Sequence, residues 1–469
     1  MGRLKRLWLL VLGILFAVPG SGQTPPALRG ADDRFKMDIL VVVAHPDDEG
    51  GVTPYLARAI YDLHKRVAVV YGTRGGSGGN EYSRERGPAL ANIREMEARE
   101  ACARLGITNV WFLDGKDTAS QNVLNSLSNW GHGENLERLV GIIRLTRPEV
   151  IIAPLPGMFI GENHGDHQAA GVLATEAFDL AARPAIFPSQ LGMAAAKREI
   201  YLGNMNPWQP KKLYYVPDAA DEGQFAGSGP AYSITEVSPS QKKPYWRLAL
   251  DAAMTHLTQY PGEIHALSTL SDAEIEKMIS DPHRGWWSNP ETLVFGKSAY
   301  EIGPDEPRHD VFADVAGQTS LCPLTPRTIE RARGTIVARL GGPWEFYEEF
   351  RAMHCTSAVP SPKIPEIAIK SATTLSVPVA IYHDPEGAEE VTVSAVLPPH
   401  WKVTAGTGKF MLPAEARSQI QIQIETPSLS DAELKEARPE TIRVTVGRAG
   451  QTVAQLSLNV LLKSSALPQ

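Results

Sequence analysis

Four short runs of unbroken apolarity recur in the first half of the chain: 38–43 (Asp-Ile-Leu-Val-Val-Val), 67–71 (Val-Ala-Val-Val-Tyr), 109–113 (Asn-Val-Trp-Phe-Leu) and 149–155 (Glu-Val-Ile-Ile-Ala-Pro-Leu). Continuous rather than alternating apolarity predicts strands covered on both faces, as in a parallel sheet. Amphipathic periodicity of the helical kind falls near 52–64, 89–106, 135–146 and 167–182. This βαβα order predicts an α/β fold, a Rossmann-like open and mostly parallel sheet with helices on both faces. Its core spans 37–185, and 186–355 reads as an elaboration of the same domain, with helical patterns near 244–257 and 327–353 and a strand-like Lys212-Leu-Tyr-Tyr-Val216.

The period changes after a Pro-rich linker at 356–366. Ile420-Gln-Ile-Gln-Ile424 and Ile442-Arg-Val-Thr-Val446 alternate strictly, and further strand candidates recur at 375–382, 391–397 and 453–461. Short alternating strands with turns between them predict an antiparallel β-sandwich over 367–465. It holds no clustered His, Cys or carboxylates and reads as an accessory module.

Composition narrows the function. A chain of 469 residues, 43% hydrophobic and 21% charged, is globular and has room for two or three domains. A net charge of −7, with Lys and Arg scattered among acids, leaves no basic footprint for a nucleic acid. Residues 1–22 have a basic start, an apolar run at 7–18 and a small-residue end, Pro-Gly-Ser-Gly22, which predicts a secretory signal peptide cleaved near Gly22 or Gln23. The apolar run is shorter than the roughly 20 residues of a membrane span, and no other segment could serve as one. The expected location is therefore periplasmic or secreted. Cys102 falls in a helical pattern, whereas Cys322 and Cys355 fall in loop-like surroundings where an oxidising compartment permits a bridge, and a Cys322–Cys355 disulfide is expected.

In open α/β sheets ligands bind beyond the carboxyl ends of the strands. The chemistry-bearing residues sit there: His45, Asp47 and Asp48 after the first strand, Thr73-Arg-Gly-Gly-Ser-Gly-Gly-Asn80 after the second, Asp114 after the third, and His164-Gly-Asp-His167 at the end of the loop after the fourth. Imidazole with carboxylate suits a divalent cation, and a catalytic site takes three protein ligands and keeps one position for water. Two His/Asp clusters at strand ends of one sheet point to a shared metal site. One of the adjacent aspartates can be a ligand while its neighbour accepts a proton, and a second histidine can stabilise an oxyanion. That is the equipment of metal-assisted hydrolysis, with an amide as the natural target.

Ala44-His-Pro-Asp-Asp-Glu49, followed about 120 residues later by His164-x-x-His167, resembles the LmbE-like (PIG-L) zinc-dependent deacetylases, which act on N-acetylglucosamine-containing substrates. The resemblance covers 37–185 and implies His45, Asp48 and His167 as zinc ligands, with Fe2+ as another candidate metal. It implies Asp47 as general base, His164 as oxyanion stabiliser and an N-acetylated amino sugar or glycoconjugate as substrate. Arg94 and Glu97 match family residues that face the substrate. At 100° per residue they also fall within the apolar stripe of their helix, where charge must be paired or used. An Arg94–Glu97 ion pair is the alternative. The glycine-rich loop is neither G-x-G-x-x-G nor a Walker loop, which removes nucleotide binding; Arg74 and Asn80 are candidate sugar contacts. Asp114 is a candidate for substrate hydroxyls or simply ends a strand. Thr255-His-Leu-Thr-Gln259 resembles the family's His-x-Ser-Gln element, with His256 read as structural. Trp286 and Trp287 are read as core-packing aromatics before sugar platforms. Rival functions are metal-dependent hydrolysis of another amide and non-catalytic glycan binding on the same fold.

Overall fold

The computed structural model describes residues 30–469 apart from 160–163, 193–203, 218–224, 280–286, 288, 304–308, 314–318, 326–334 and 465–468. The expected signal peptide and Trp286 lie outside the described residues. Among these, no helix is long and apolar enough to cross a membrane.

The apolar runs become the strands Ile39–Val43 (β1), Val67–Tyr71 (β2), Asn109–Phe112 (β3) and Val150–Pro154 (β4), joined by Lys212–Val216 (β5). Every residue of β1, β2 and β4 is buried, as continuous apolarity demands of a sheet covered on both faces. All five are parallel, with Val41 opposite Val69 on one side and Ile152 on the other. A two-residue ladder of Ala231–Tyr232 (β6) with Glu291–Thr292 (β7) precedes an antiparallel edge strand, Val294–Ser298 (β8), which pairs with β5. The order is β3-β2-β1-β4-β5-β8. Successive strands step one way from β1 and then the other way from β4, so a crevice opens between the carboxyl ends of those two.

Helices Thr53–Tyr61 (α1), Pro88–Arg104 (α2), Val123–Trp130 (α3), His132–Thr146 (α4) and Gly165–Leu180 (α5) cover the sheet. The approach of α5 is unusually close: a Cβ on Gly171 would stand 2.3 Å from the Pro154 carbonyl of β4. Ala169, Ala170 and Ala174 are fully buried beside it. Small residues on this face bring the first turn of α5, with its histidines, down to the strand ends.

The second half departs from expectation in two ways. The pattern at 327–353 is not one helix: Ile336–Leu340 is a strand (β9) with alternating burial, and a helix follows at Pro343–Met353. Between them Gly342 takes a φ of 63°, a left-handed conformation that helical continuity forbids. The linker is also not a boundary. The sandwich strands are Glu366–Lys370 (β10), Thr374–His383 (β11), Glu389–Val396 (β12), Lys402–Ala405 (β13), Gly408–Leu412 (β14), Ala416–Glu425 (β15), Glu440–Arg448 (β16) and Gln451–Lys463 (β17). They form sheets β10-β17-β16-β12-β14 and β13-β15-β11-β9. Thus β9, upstream of 356–366, completes a sandwich sheet by pairing with β11, and β10 runs parallel to β17 in an otherwise antiparallel array. Side chains stitch the halves together: Tyr347 donates to Gln168 of α5 (2.8 Å), and Gln121 Nε2 donates to the Ala368 carbonyl (2.6 Å). Cys322 and Cys355 are disulfide-bonded, while Cys102 is buried and free.

Candidate active site

The chain leaves β1 through a tight turn whose geometry is set by Asp48. One of its carboxylate oxygens, Oδ2, accepts the backbone N–H groups of Ala44 (3.1 Å) and His45 (2.6 Å). Asp47, one residue earlier, has φ 117° and ψ −25°. A non-glycine residue seldom adopts this, and such strain persists where the surroundings over-determine it. Here Glu49 does so: its Oε2 accepts the Asp47 N–H at 3.0 Å and its Oε1 meets His256 Nε2 at 2.6 Å, in a buried pair. Through Glu49, His256 supports the turn that carries Asp47.

His45 Nδ1, His167 Nε2 and the Asp48 carboxylate converge. The separations are 3.2 Å between the two nitrogens, 3.4 Å from His45 to Asp48 and 3.2 Å from His167 to Asp48. Tetrahedral ligands about 2.0–2.2 Å from an ion stand about 3.3–3.5 Å apart, so the triangle has the size a divalent cation requires. The far nitrogen of His45, Nε2, faces Asp117 Oδ1 (3.2 Å) and Asp166 Oδ2 (3.3 Å). Carboxylates there keep that nitrogen protonated and leave the Nδ1 lone pair for a metal. A second candidate triangle, His45, His164 and Asp166, shares this region. There Asp166 Oδ2 already accepts the Thr118 N–H (2.8 Å) as well as facing His45, while its buried Oδ1 has no hydrogen-bond partner among the described residues.

The charges are coupled accordingly. Burial opposes ionisation of Asp48, but His167 and His45 outweigh it and hold its carboxyl well below the usual range. Burial likewise opposes charge on His45, and Asp48, Asp117 and Asp166 overcome it, raising its pKa. Asp47 goes the other way: burial raises its pKa, Arg94 opposes this, and Asp48 adds to it. His164 is pushed down to about 3 by burial and then by the neighbouring His45 and His167. It is therefore neutral at neutral pH. It caps α5, its Nδ1 accepting the Asp166 N–H at 3.1 Å, which leaves the proton on Nε2.

Asp47 is gripped at both oxygens, Oδ1 by Arg94 (2.9 Å) and Oδ2 by the Tyr260 hydroxyl (3.0 Å). Arg94 also donates to the carbonyls of Pro46 (2.6 Å) and Gly75 (3.1 Å). The glycine-rich loop makes room for this guanidinium: a Cβ on Gly75 would lie 2.4 Å from it and one on Gly78 2.9 Å. Gly75 moreover has φ 66°. Gly75→Ala should displace Arg94 and, through it, Asp47. Since misplacement by about 1 Å can cost about 10²-fold, turnover should fall by about 10- to 100-fold while bound metal, measured by elemental analysis, stays unchanged. Native turnover in that variant would show that the loop does not set Asp47.

Several expected contacts lie elsewhere. Arg94 and Glu97 do not pair, and Glu97 instead binds the Thr258 N–H at 2.9 Å and the Thr258 hydroxyl, anchoring the segment that presents Tyr260. Arg74 is spent on Glu95 and Asp114, against the Phe112 ring. Asn80 organises its own turn, accepting the N–H groups of Tyr82 and Ser83. Arg74, Asn80, Glu97 and Asp114, expected as substrate contacts, do not line the cleft, and each makes the protein contacts just described. The cleft, of about 510 Å3, is lined by His45, Asp48 and His167, by Asp47, Arg94, Asp117 and His164, and by Gln259, Tyr260 and Trp287. Trp287 donates its indole N–H to the Gly50 carbonyl (2.6 Å). Asp117, Asp166 and Tyr260 were not singled out from sequence. The first stands three residues past Asp114 and the second inside the His164–His167 cluster, but nothing near Tyr260 marks it.

Such a site, at the switch point of an open α/β sheet, belongs to the metal-dependent hydrolases of amides other than peptides. Residues 40–178 match the family model of GlcNAc-PI de-N-acetylase, PIG-L. The chain is 30% identical over 315 residues to a 1D-myo-inositol 2-acetamido-2-deoxy-alpha-D-glucopyranoside deacetylase 2 of Frankia alni, covering 59% of this chain and 100% of that one. It is 26% identical over 255 residues to the corresponding deacetylase of Thermobifida fusca, covering 47% of this chain and 82% of the relative. The N,N'-diacetylchitobiose deacetylase structure from Pyrococcus horikoshii aligns at 20% identity and TM-score 0.38, over 55% of this chain and 83% of its own. The chain belongs to the LmbE-like (PIG-L) deacetylase family.

Proposed function

We propose that the protein is a zinc-dependent deacetylase that hydrolyses the N-acetyl amide of an N-acetylglucosamine-type amino sugar or glycoconjugate outside the cytoplasm. The observation that carries this reading is the His45–Asp48–His167 triangle with Asp47 and His164 at its edge. The substrate class comes from the curated relatives, and the location from the signal-like sequence at 1–22.

His45, Asp48 and His167 would hold the zinc, whose Lewis acidity makes water nucleophilic near neutral pH and polarises a carbonyl. Asp47 accepts the proton of the attacking water. Each carboxylate oxygen has two lone pairs, so Arg94 and Tyr260 orient the group without exhausting it. As the water oxygen bonds to the acetyl carbon, the neutral His164 ring donates its Nε2–H to the carbonyl oxygen, where negative charge grows. Collapse breaks the carbon–nitrogen bond. The proton held by Asp47 passes to the departing nitrogen, giving acetate and a free amine.

The test is acetate release from a panel of N-acetylated sugars, glycoconjugates and acyl amino acids by metal-characterised protein. Release from amino sugars alone supports the reading, and release from acyl amino acids alone replaces it. Tyr260→Phe removes one hydrogen bond to the base. A bond to a charged group is worth about 1.5–3 kcal/mol, so kcat should fall at least about tenfold with KM little changed. A rise in KM alone would place Tyr260 on the substrate instead.

A further inference from the structure

A second cavity, of about 740 Å3, lies where the sandwich meets the catalytic domain. Its walls include Asn122 and Asn125 at the start of α3, Phe346 and Glu349 of the helix Pro343–Met353, and Gln419 and Gln421 of β15. Asn125, Glu349, Gln419 and Gln421 are exposed and Phe346 is half-buried, so these groups are accessible. The wall mixes apolar side chains, among them Leu124, Met158 and Trp344, with these polar ones, and it is not cationic. Its arginine, Arg417, is spent on Glu345. Among the described residues Glu349 has no ion-pair partner, which disfavours an anionic ligand.

The amides are half used. Asn122 Oδ1 accepts the Leu124 N–H (3.0 Å), and Asn125 Nδ2 donates to Ser120 Oγ (3.2 Å). Gln421 Oε1 accepts from Ser376 Oγ (2.9 Å), and Gln419 Oε1 from Arg417 Nη2 (3.4 Å). Among the described residues the other end of each amide has no protein partner. Three donors, Asn122 Nδ2, Gln419 Nε2 and Gln421 Nε2, and one acceptor, Asn125 Oδ1, are thus left beside an aromatic ring. Hydroxyl groups both donate and accept, and a few such polar groups on a partly apolar wall fix the orientation of a neutral ligand.

The cavity is tied to the catalytic site by one short loop. Asp117 faces His45, Ser120 accepts the Gly165 N–H beside His164 (2.7 Å), and Asn122 reaches the cavity wall. Five residues span at most about 18 Å, so the two sites are near neighbours. We propose that this inter-domain cavity is a second saccharide site, binding a neutral oligosaccharide through its amides and Phe346, and that supplying β15 to it is a function of the sandwich.

The test is calorimetric titration of the full chain, carrying Asp47→Asn to suppress turnover, with the β-1,4-linked tetramer of N-acetylglucosamine. Two binding events are expected. Gln419→Ala with Gln421→Ala, and separately Asn125→Arg, which projects a longer, charged side chain at the cavity wall, should weaken one event at least about tenfold, the loss of one or two net hydrogen bonds, and leave the other intact. Unchanged melting temperatures would show that these surface variants fold. One event that vanishes in the cavity variants would keep the second site and exclude this tetramer as a ligand of the catalytic cleft. Binding insensitive to both cavity variants, or no binding, would overturn the proposal.

Discussion

Asp47→Asn is expected to bind metal as the native protein does and to lose about 10²–10⁴-fold in acetate release, the usual contribution of a positioned general base. The substitution is nearly isosteric, and Asn tolerates the positive φ of this position better than most residues. The ligand atoms of His45, Asp48 and His167 are untouched, and Asp48 keeps the N–H groups of Ala44 and His45. What disappears is the anionic oxygen able to take a proton. Arg94 loses its charge partner but keeps the carbonyls of Pro46 and Gly75, so the pocket need not collapse. Metal analysis beside an acetate assay decides the matter. Activity within a few-fold of native, at full metal content, would mean the proton goes elsewhere; activity and metal lost together would make Asp47 a ligand.

This proposed separation of roles rests on two adjacent aspartates in the stretch where the sequence is most informative. Continuous apolar runs identify β1 to β4 in the sequence, and the rule that ligands gather beyond strand ends brings His45, Asp48, His164 and His167 to one place. Those residues lie within a few positions of a strand or helix end, so local pattern locates them. Arg94 was visible as a charge on an apolar helical stripe, but its partner was not the neighbour three positions on. Asp47 is 47 residues away in sequence, and periodicity carries no information about such a pairing.

The same limit applies to the expected sugar contacts. Arg74 and Asp114 both follow strands, as binding residues do, yet each satisfies the other at the surface. The glycine-rich loop reads as room for a ligand, and the room is filled by Arg94. Tyr260 is the counter-case: a residue against the base supplied by the elaboration, 213 positions from Asp47. Its approach depends on Glu97 holding Thr258 and on Gln259 donating to the Gly79 carbonyl (3.1 Å). The strand at 336–340 was missed for a related reason. Its alternation is short enough to pass for the start of the helix behind it, and only pairing with β11 makes it a strand.

His167→Ala, in contrast to Asp47→Asn, is expected to lose the metal itself, and activity with it. Removing its Nε2 leaves His45 and Asp48 as two of three ligands, and a two-ligand remnant cannot supply the three protein donors of a catalytic site. His45→Ala should do the same and also strand the half-buried Asp117 and the buried Asp166, two carboxylates that share its far nitrogen. Asp117→Asn is predicted to fall between these extremes. It keeps all three ligands but weakens the hold on the His45 ring, and such orienting partners typically contribute about 10–100-fold in metal affinity. Competition with a chelator of known affinity would rank the four proteins, with Asp47→Asn at the native end, Asp117→Asn intermediate and the two histidine variants at the bottom. Full metal content in His167→Ala would remove His167 from the ligand set and shift weight to the His45–His164–Asp166 triangle, whose own ordering under the same competition would then reverse the roles of Asp48 and Asp166.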